Sequence, residues 1–174
     1  MAHVVEILIA ESPATPALPV PEVRALPGVG LEGDRYALGV GTFSFHPQKP
    51  DGELTLVQME HIAEFARRTG LPFTVREARR NLVTTGIDLN LLVGREFIVG
   101  DVRIRGIRLC EPCNYLAKQT SPEVLRGLVR KGGLRAQILS EGTIEVGDAV
   151  TEVVANTAAS PTAALNVGPQ SDSN

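Results

Sequence analysis

Phe97-Ile-Val-Gly-Asp-Val-Arg-Ile-Arg-Gly-Ile-Arg-Leu109 is the stretch on which the architecture turns. Apolar residues flank Gly100-Asp101, and they alternate with arginine after it. This is the pattern of two half-buried strands joined by a tight turn. Gly106 interrupts the second strand, and a glycine there predicts a bulge or a close backbone approach. Ile144-Glu-Val146 and Ala149-Val150 flank Gly147-Asp148 in the same way and predict a second hairpin. Further out, residues 3–10, 81–85 and 134–139 read as strands rich in Val, Ile and Leu. Thr55-Leu-Val-Gln58 resembles a capping box, which predicts a helix from Thr55 through Thr69 that stops at Gly70. Met59, Ile62, Ala63 and Ala66 would face the core of that helix. Ser121-Pro-Glu123 predicts another helix, ending near Gly132-Gly133. Strict alternation of strand and helix is missing, so a doubly wound sheet is disfavoured. The expectation is a mainly β, α+β chain: a closed or half-closed β-barrel with a few helices packed at its rim.

Length and composition set the outer limits. The chain has 174 residues, 43% hydrophobic and 21% charged, close to the average for soluble globular domains. We read one domain over residues 1–154. Residues 155–174 are small and polar, with Asp172 the only charge, and are expected to form a disordered tail. A net charge of -3 argues against a basic body that binds nucleic acid. No run approaches the roughly 20 apolar residues that span a bilayer. Met1–Ala10 is apolar but lacks a basic lead-in and contains Glu6. The expected location is cytoplasmic, where thiols stay reduced. The charge is uneven: residues 95–135 hold 9 basic and 4 acidic side chains, a local excess suited to a small anion.

Three clusters carry candidate chemistry. Cys110-Glu-Pro-Cys113 permits redox exchange or metal binding. Structural zinc needs two more soft ligands, and His3, His46 and His61 are scattered. Cys113 is the stronger candidate, because Asn114 onward can start a helical turn whose free N–H groups stabilise a thiolate. The alternative is two buried structural cysteines. Gly33-Asp-Arg35 lies in a glycine-rich stretch spanning residues 28–53. Arg35 can clamp an oxyanion through its planar fork, with Asp34 orienting it. A surface turn with a local ion pair is the competing reading. Arg79-Arg-Asn81 begins a strand and offers many donors to an anionic heterocycle, with hydroxyls from Thr84 and Thr85. A solvated strand end is the alternative there.

The order of motifs is more specific than any one of them. Gly-Leu-Glu-Gly-Asp-Arg-Tyr (30–36), Arg-Arg-Asn-Leu-Val-Thr (79–84), Leu-Val-Gly-Arg-Glu-Phe-Ile-Val-Gly-Asp (92–101), Cys-Glu-Pro-Cys (110–113), Gly-Gly-Leu-Arg-Ala (132–136) and Gly-Thr-Ile-Glu-Val-Gly-Asp (142–148) follow one another. Together they resemble the MOSC family, the domain found at the C-terminus of molybdenum cofactor sulfurases, over roughly residues 20–153. The resemblance implies a β-barrel that binds molybdenum cofactor (molybdopterin) and either reduces N-hydroxylated compounds or handles sulfur on the cofactor. It implies that Cys113 ligates molybdenum and that Arg35 and the Arg79, Arg80, Asn81 group hold the pterin and its phosphate. Asp34 and Thr84 complete the expected binding set. The chain departs from larger members in having no lysine in the proline-rich N-terminal loop, Pro13–Pro21, and no pyridoxal-phosphate domain.

Two functions follow from this resemblance. One is an oxidoreductase acting on a small N-hydroxylated substrate, with Glu111 or Asp34 delivering protons and a separate protein donating electrons. The other is a non-catalytic carrier of sulfur or cofactor, fed by a sulfur-donor protein. Neither calls for nucleic acid or a membrane, and the sheet edges leave room for a homodimer. Arg35→Ala and Arg80→Ala are expected to weaken cofactor retention while leaving stability near its original value, since exposed arginines contribute little to folding.

Overall fold

The alternation of apolar residues becomes eleven strands in the computed structural model, which describes residues 1–44 and 49–153. Phe45, His46 and the expected tail over 155–174 lie outside the described residues. The strands are β1 (His3–Ile9), β2 (Leu18–Val20), β3 (Glu22–Leu26), β4 (Gly30–Leu31), β5 (Leu54–Gln58) and β6 (Leu82–Thr85). Then come β7 (Glu96–Val99), β8 (Val102–Leu109), β9 (Leu134–Ile138), β10 (Gly142–Glu145) and β11 (Val150–Glu152). Four helices accompany them: α1 (Met59–Thr69), α2 (Val75–Ala78), α3 (Asn114–Gln119) and α4 (Val124–Gly127).

Eight strands form one curled sheet in the order β11-β7-β8-β9-β5-β6-β1-β2, and β10-β3-β4 form a second. Bonds from Val4 N to Asp148 O (2.9 Å), Gly147 N to Val4 O (2.8 Å) and Val150 N to Ala2 O (3.0 Å) tie the N-terminal half of β1 to the segment entering β11. The two ends of the curl therefore meet, as a barrel requires. No helix among the described residues is long and apolar enough to cross a membrane.

Period-two alternation splits the core into two layers. Ile7, Leu56 and Leu82 join Phe97, Ile104, Leu134 and Ile138 inside the curl. Their neighbours Leu8, Val57 and Val83 point the other way and pack against Ile62, Phe65, Leu116 and Leu128 of the helical layer. Strands β5 and β6 are thus covered on both faces, and they pair in parallel across the crossover that contains α1.

That double burial corrects the expected helix start. All five residues of Leu54–Gln58 are buried strand, and a continuous apolar run carries no periodicity that separates strand from helix. The side chains read as a capping box have other partners: Thr55 Oγ1 donates to Asn81 Oδ1 (2.8 Å), and Gln58 Oε1 accepts from Leu89 N (3.1 Å). Within α1, Ile62 and Phe65 are buried while Met59 and Ala63 are exposed. The second expected helix is also shorter, because α4 ends at Gly127, whose Cα packs against the Phe65 ring. The hairpin at Gly100-Asp101 forms as expected. The one at Gly147-Asp148 does not: β10 pairs with β3, whereas β11 pairs with β7 in the other sheet.

Candidate functional site

Where β8 and β9 run out, the chain opens a cleft of about 420 Å³. Loops at one end of the curl bring distant parts of the sequence to it. Arg35 and Tyr36 come from the glycine-rich loop, Arg79 and Arg80 from the α2–β6 junction, and Cys110 to Cys113 from the β8–α3 link. Five arginines and Lys49 line the cleft against two carboxylates, Asp51 and Glu111. Phe43, Tyr36 and Tyr115 form an aromatic part of the wall, with Phe43 and Tyr115 edge to face at a centroid distance of 6.1 Å.

Gly133 shows why the backbone takes this path. Its φ is +108°, and a Cβ there would collide with the Leu56 carbonyl oxygen, so only glycine lets β9 start so close to β5. Cys110 N donates to Gly133 O at 2.7 Å, which locks the cysteine loop to the same point. Cys110 is buried, whereas Cys113 is half-buried and stands at the N-cap position of the six-residue α3 with no capping bond from its side chain. Both are free thiols on one cleft.

The expected binding residues divide into two groups. Asp34 is 2% exposed and does not line the cleft. Its carboxylate accepts from Arg35 Nη1 (3.2 Å), Asn81 Nδ2 (3.1 Å), Ala10 N (3.3 Å) and Tyr36 N (3.1 Å). Its oxygens are so occupied beneath the surface, supporting Arg35 and Asn81, rather than lining the cleft as a binder or proton donor was expected to do. Asn81 is likewise internal, donating to Leu8 O and Asp34 and accepting from Thr55. Thr84 is fully buried in β6 and donates to Val57 O (3.4 Å), so its hydroxyl does not open on the cleft. Burial explains all three, Asp34 under the glycine-rich loop and Asn81 and Thr84 at and within β6: polar groups there must bond within the protein.

Arg35, Arg79 and Arg80 do line the cleft, with different degrees of freedom. Arg35 is 7% exposed, bound to Asp34 and to Arg79 O (3.5 Å), with its guanidinium 4.8 Å from the Tyr36 ring centre. The expectation that it is an exposed arginine with no effect on stability is therefore corrected. Arg79 sits in a left-handed conformation (φ 56°) at the end of α2 and donates to Thr15 O (2.8 Å) and Ser12 O (3.4 Å). Burial, and then the neighbouring Arg35 cation, hold its pKa below the ordinary arginine value. It is a tether for the proline-rich loop as much as a cleft cation. Arg80 uses only Nε, to Gly132 O (2.9 Å), and its two terminal nitrogens have no hydrogen-bond partner among the described residues.

Sequence reading did not assign Arg135, Asp51, Lys49 or the aromatic wall to the site. The basic excess over residues 95–135 was a signal for Arg108 and Arg135, but their meeting depends on the β8–β9 register.

This donor set fits a phosphorylated, sulfur-ligated group: guanidinium forks for an oxyanion and a thiol that reaches the same space. The MOSC domain model matches residues 41–151. No curated protein matches the chain. Among solved structures, the YuaD protein from Bacillus subtilis is 16% identical, with a TM-score of 0.72 over 86% of this chain and 93% of that one. YiiM from Geobacillus stearothermophilus is 19% identical, with a TM-score of 0.69 over 88% and 76%. YiiM from Escherichia coli is 20% identical, with a TM-score of 0.66 over 89% and 71%. At these identities the structures establish a shared fold.

Proposed function

We propose that this chain, which belongs to the MOSC domain family, binds molybdenum cofactor in the arginine-lined cleft and acts as an oxidoreductase on N-hydroxylated compounds. One observation carries the reading: Cys113, the more exposed of the two thiols, opens on the same cleft as Arg35, Arg79 and Arg80. The family is associated with this cofactor, whose metal supplies two-electron oxygen-atom transfer when bound.

The chain's own residues supply binding and placement. Cys113 is the molybdenum ligand. Arg80 offers its two unpaired terminal nitrogens to the phosphate or the pterin, and Arg35 adds a cation held rigid by Asp34. Arg79 fixes the proline-rich loop, so that Pro13 closes one side of the cleft. Glu111 is the remaining carboxylate suited to proton delivery; it lines the cleft and accepts from Arg130 N (2.9 Å). Electrons come from a separate donor protein.

The test is metal content after expression in a host that makes the cofactor. Wild type should carry molybdenum and reduce a benzamidoxime with an artificial donor, and Cys113→Ser should lose at least 90% of turnover, an estimate of about tenfold or more for removing a metal ligand. Equal metal and activity in the variant would refute the assignment of Cys113. Metal-loaded wild type without turnover, with persulfide on Cys113, would make the chain a sulfur carrier instead.

A further inference from the structure

We propose that Arg108 and Arg135 form a second oxyanion site in the cleft, which holds a carboxylate or phosphate group of the substrate rather than of the cofactor. The inference rests on the proposed function for the word substrate, but the site itself stands on geometry. Val102, Ile104 and Gly106 of β8 are buried in one row, and strict alternation would place Arg108 in that row. The bulge between Gly106 and Arg108 breaks it: two steps along β8 match one step along β9, from Ala136 to Arg135. Arg108 is thereby turned out to face Arg135 directly across the two strands. Bulges beside functional sites re-aim side chains in this manner. Gly106 permits it, because a Cβ there would collide with the Leu92 carbonyl oxygen.

Two arginines opposed across a strand pair repel. The compensation on hand is small. Asp51 Oδ2 accepts from Arg108 Nε (2.7 Å), and the Asp51 backbone oxygen accepts from Arg135 Nη1 (3.2 Å). Arg108 keeps both terminal nitrogens, and Arg135 keeps Nε and Nη2, without hydrogen-bond partners among the described residues. Both side chains line the cleft. An incoming oxyanion would meet four such N–H-bearing nitrogens and relieve the repulsion, and guanidinium pairs suit planar or tetrahedral oxyanions.

The pair is distinct from the cations assigned to the cofactor. Arg35, Arg79 and Arg80 are braced on Asp34, on the carbonyls of Ser12 and Thr15, and on Gly132. The cleft thus holds two sets of arginines that are braced on different partners, Arg108 and Arg135 both on Asp51.

The deciding experiment is a nitrogen-15 NMR titration of the chain as purified, with benzoate as the anion and benzamide as its neutral isostere. Benzoate should shift the Nε–H signals of Arg108 and Arg135 and saturate, benzamide should not, and the double variant R108Q/R135Q should bind benzoate at least about tenfold more weakly. Equal responses to both compounds, or shifts confined to Arg35 and Arg80, overturn the site. Should the double variant fail to fold, the localisation of the wild-type shifts still decides. Molybdenum content separates the two sources of oxyanion: it should be unchanged in the double variant, and its loss would reassign the pair to the cofactor. With loaded protein, KM for 4-carboxybenzamidoxime should rise about tenfold in R108Q, with that for benzamidoxime unmoved. Absence of turnover on both substrates counts against the proposed oxidoreductase, while the benzoate titration continues to judge the site.

Discussion

The polar groups beneath the cleft and those around its rim come from the same short motifs, yet they are held by opposite means. Below, Asp34, Asn81 and Thr55 are buried and bonded to one another and to backbone from β1 and β5. At the rim, Arg80 and Arg108 each use one nitrogen and leave two unpartnered among the described residues. Neighbours in sequence thus take unlike tasks: Asp34 supports while Arg35 is presented, and Asn81 supports while Arg80 is presented. A buried polar group must be satisfied from within, whereas a rim group can wait for a ligand.

The contrast can be broken most sharply below the cleft. Asp34→Ala removes the carboxylate partner of the buried Arg35 guanidinium, one of the two acceptors of Asn81 Nδ2 and the acceptor of the Ala10 and Tyr36 backbone N–H groups, and should remove about 3–5 kcal/mol of stability. Urea unfolding measures this; a loss under about 1 kcal/mol would mean that the buried network adds no more than ordinary surface pairs do. At the rim, Arg80→Ala should change stability by about 1 kcal/mol or less. Its molybdenum content should nevertheless fall several-fold, read by elemental analysis. A variant that unfolds readily but retains its metal would erase the distinction between the two regions.

A subtler effect sharpens it. Glu53 is also buried beneath the loops, but it accepts from Gly28 N (3.2 Å) and Ile138 N (3.0 Å), with no ion pair among the described residues. Burial pushes its pKa above the ordinary glutamate value, the two backbone bonds opposing. The folded chain therefore keeps this proton at a pH where the unfolded chain has lost it. Stability drawn from Glu53 is present below the ordinary value and falls as pH rises to the raised one. Glu53→Gln should gain on wild type as pH rises from about 4 to about 7, by thermal unfolding. A difference that does not vary with pH would show the carboxyl to be ionised at no penalty.

Much of the architecture was legible because strands with one face in water alternate visibly. Glu96–Val99 and Val102–Leu109, with a bulge at Gly106, follow that rule. Leu54–Gln58 does not, since both its faces are covered, and an unbroken apolar run reads equally as a helix start. The site was legible as a set of residue types: thiol, arginines and carboxamide in three separate segments. Their division was not, because burial of Asp34, Asn81 and Thr84 depends on what packs over them.

Sequence alone determined the chemistry on offer: a barrel-forming alternation, a pair of thiols and an excess of guanidinium groups near the middle of the chain. Only the tertiary structure decided which of those groups meet and which can still bind something. The reason is that a strand's register is a relation between segments far apart in the chain. Arg108 faces Arg135, and Asn81 reaches Asp34, through pairings that no local pattern encodes.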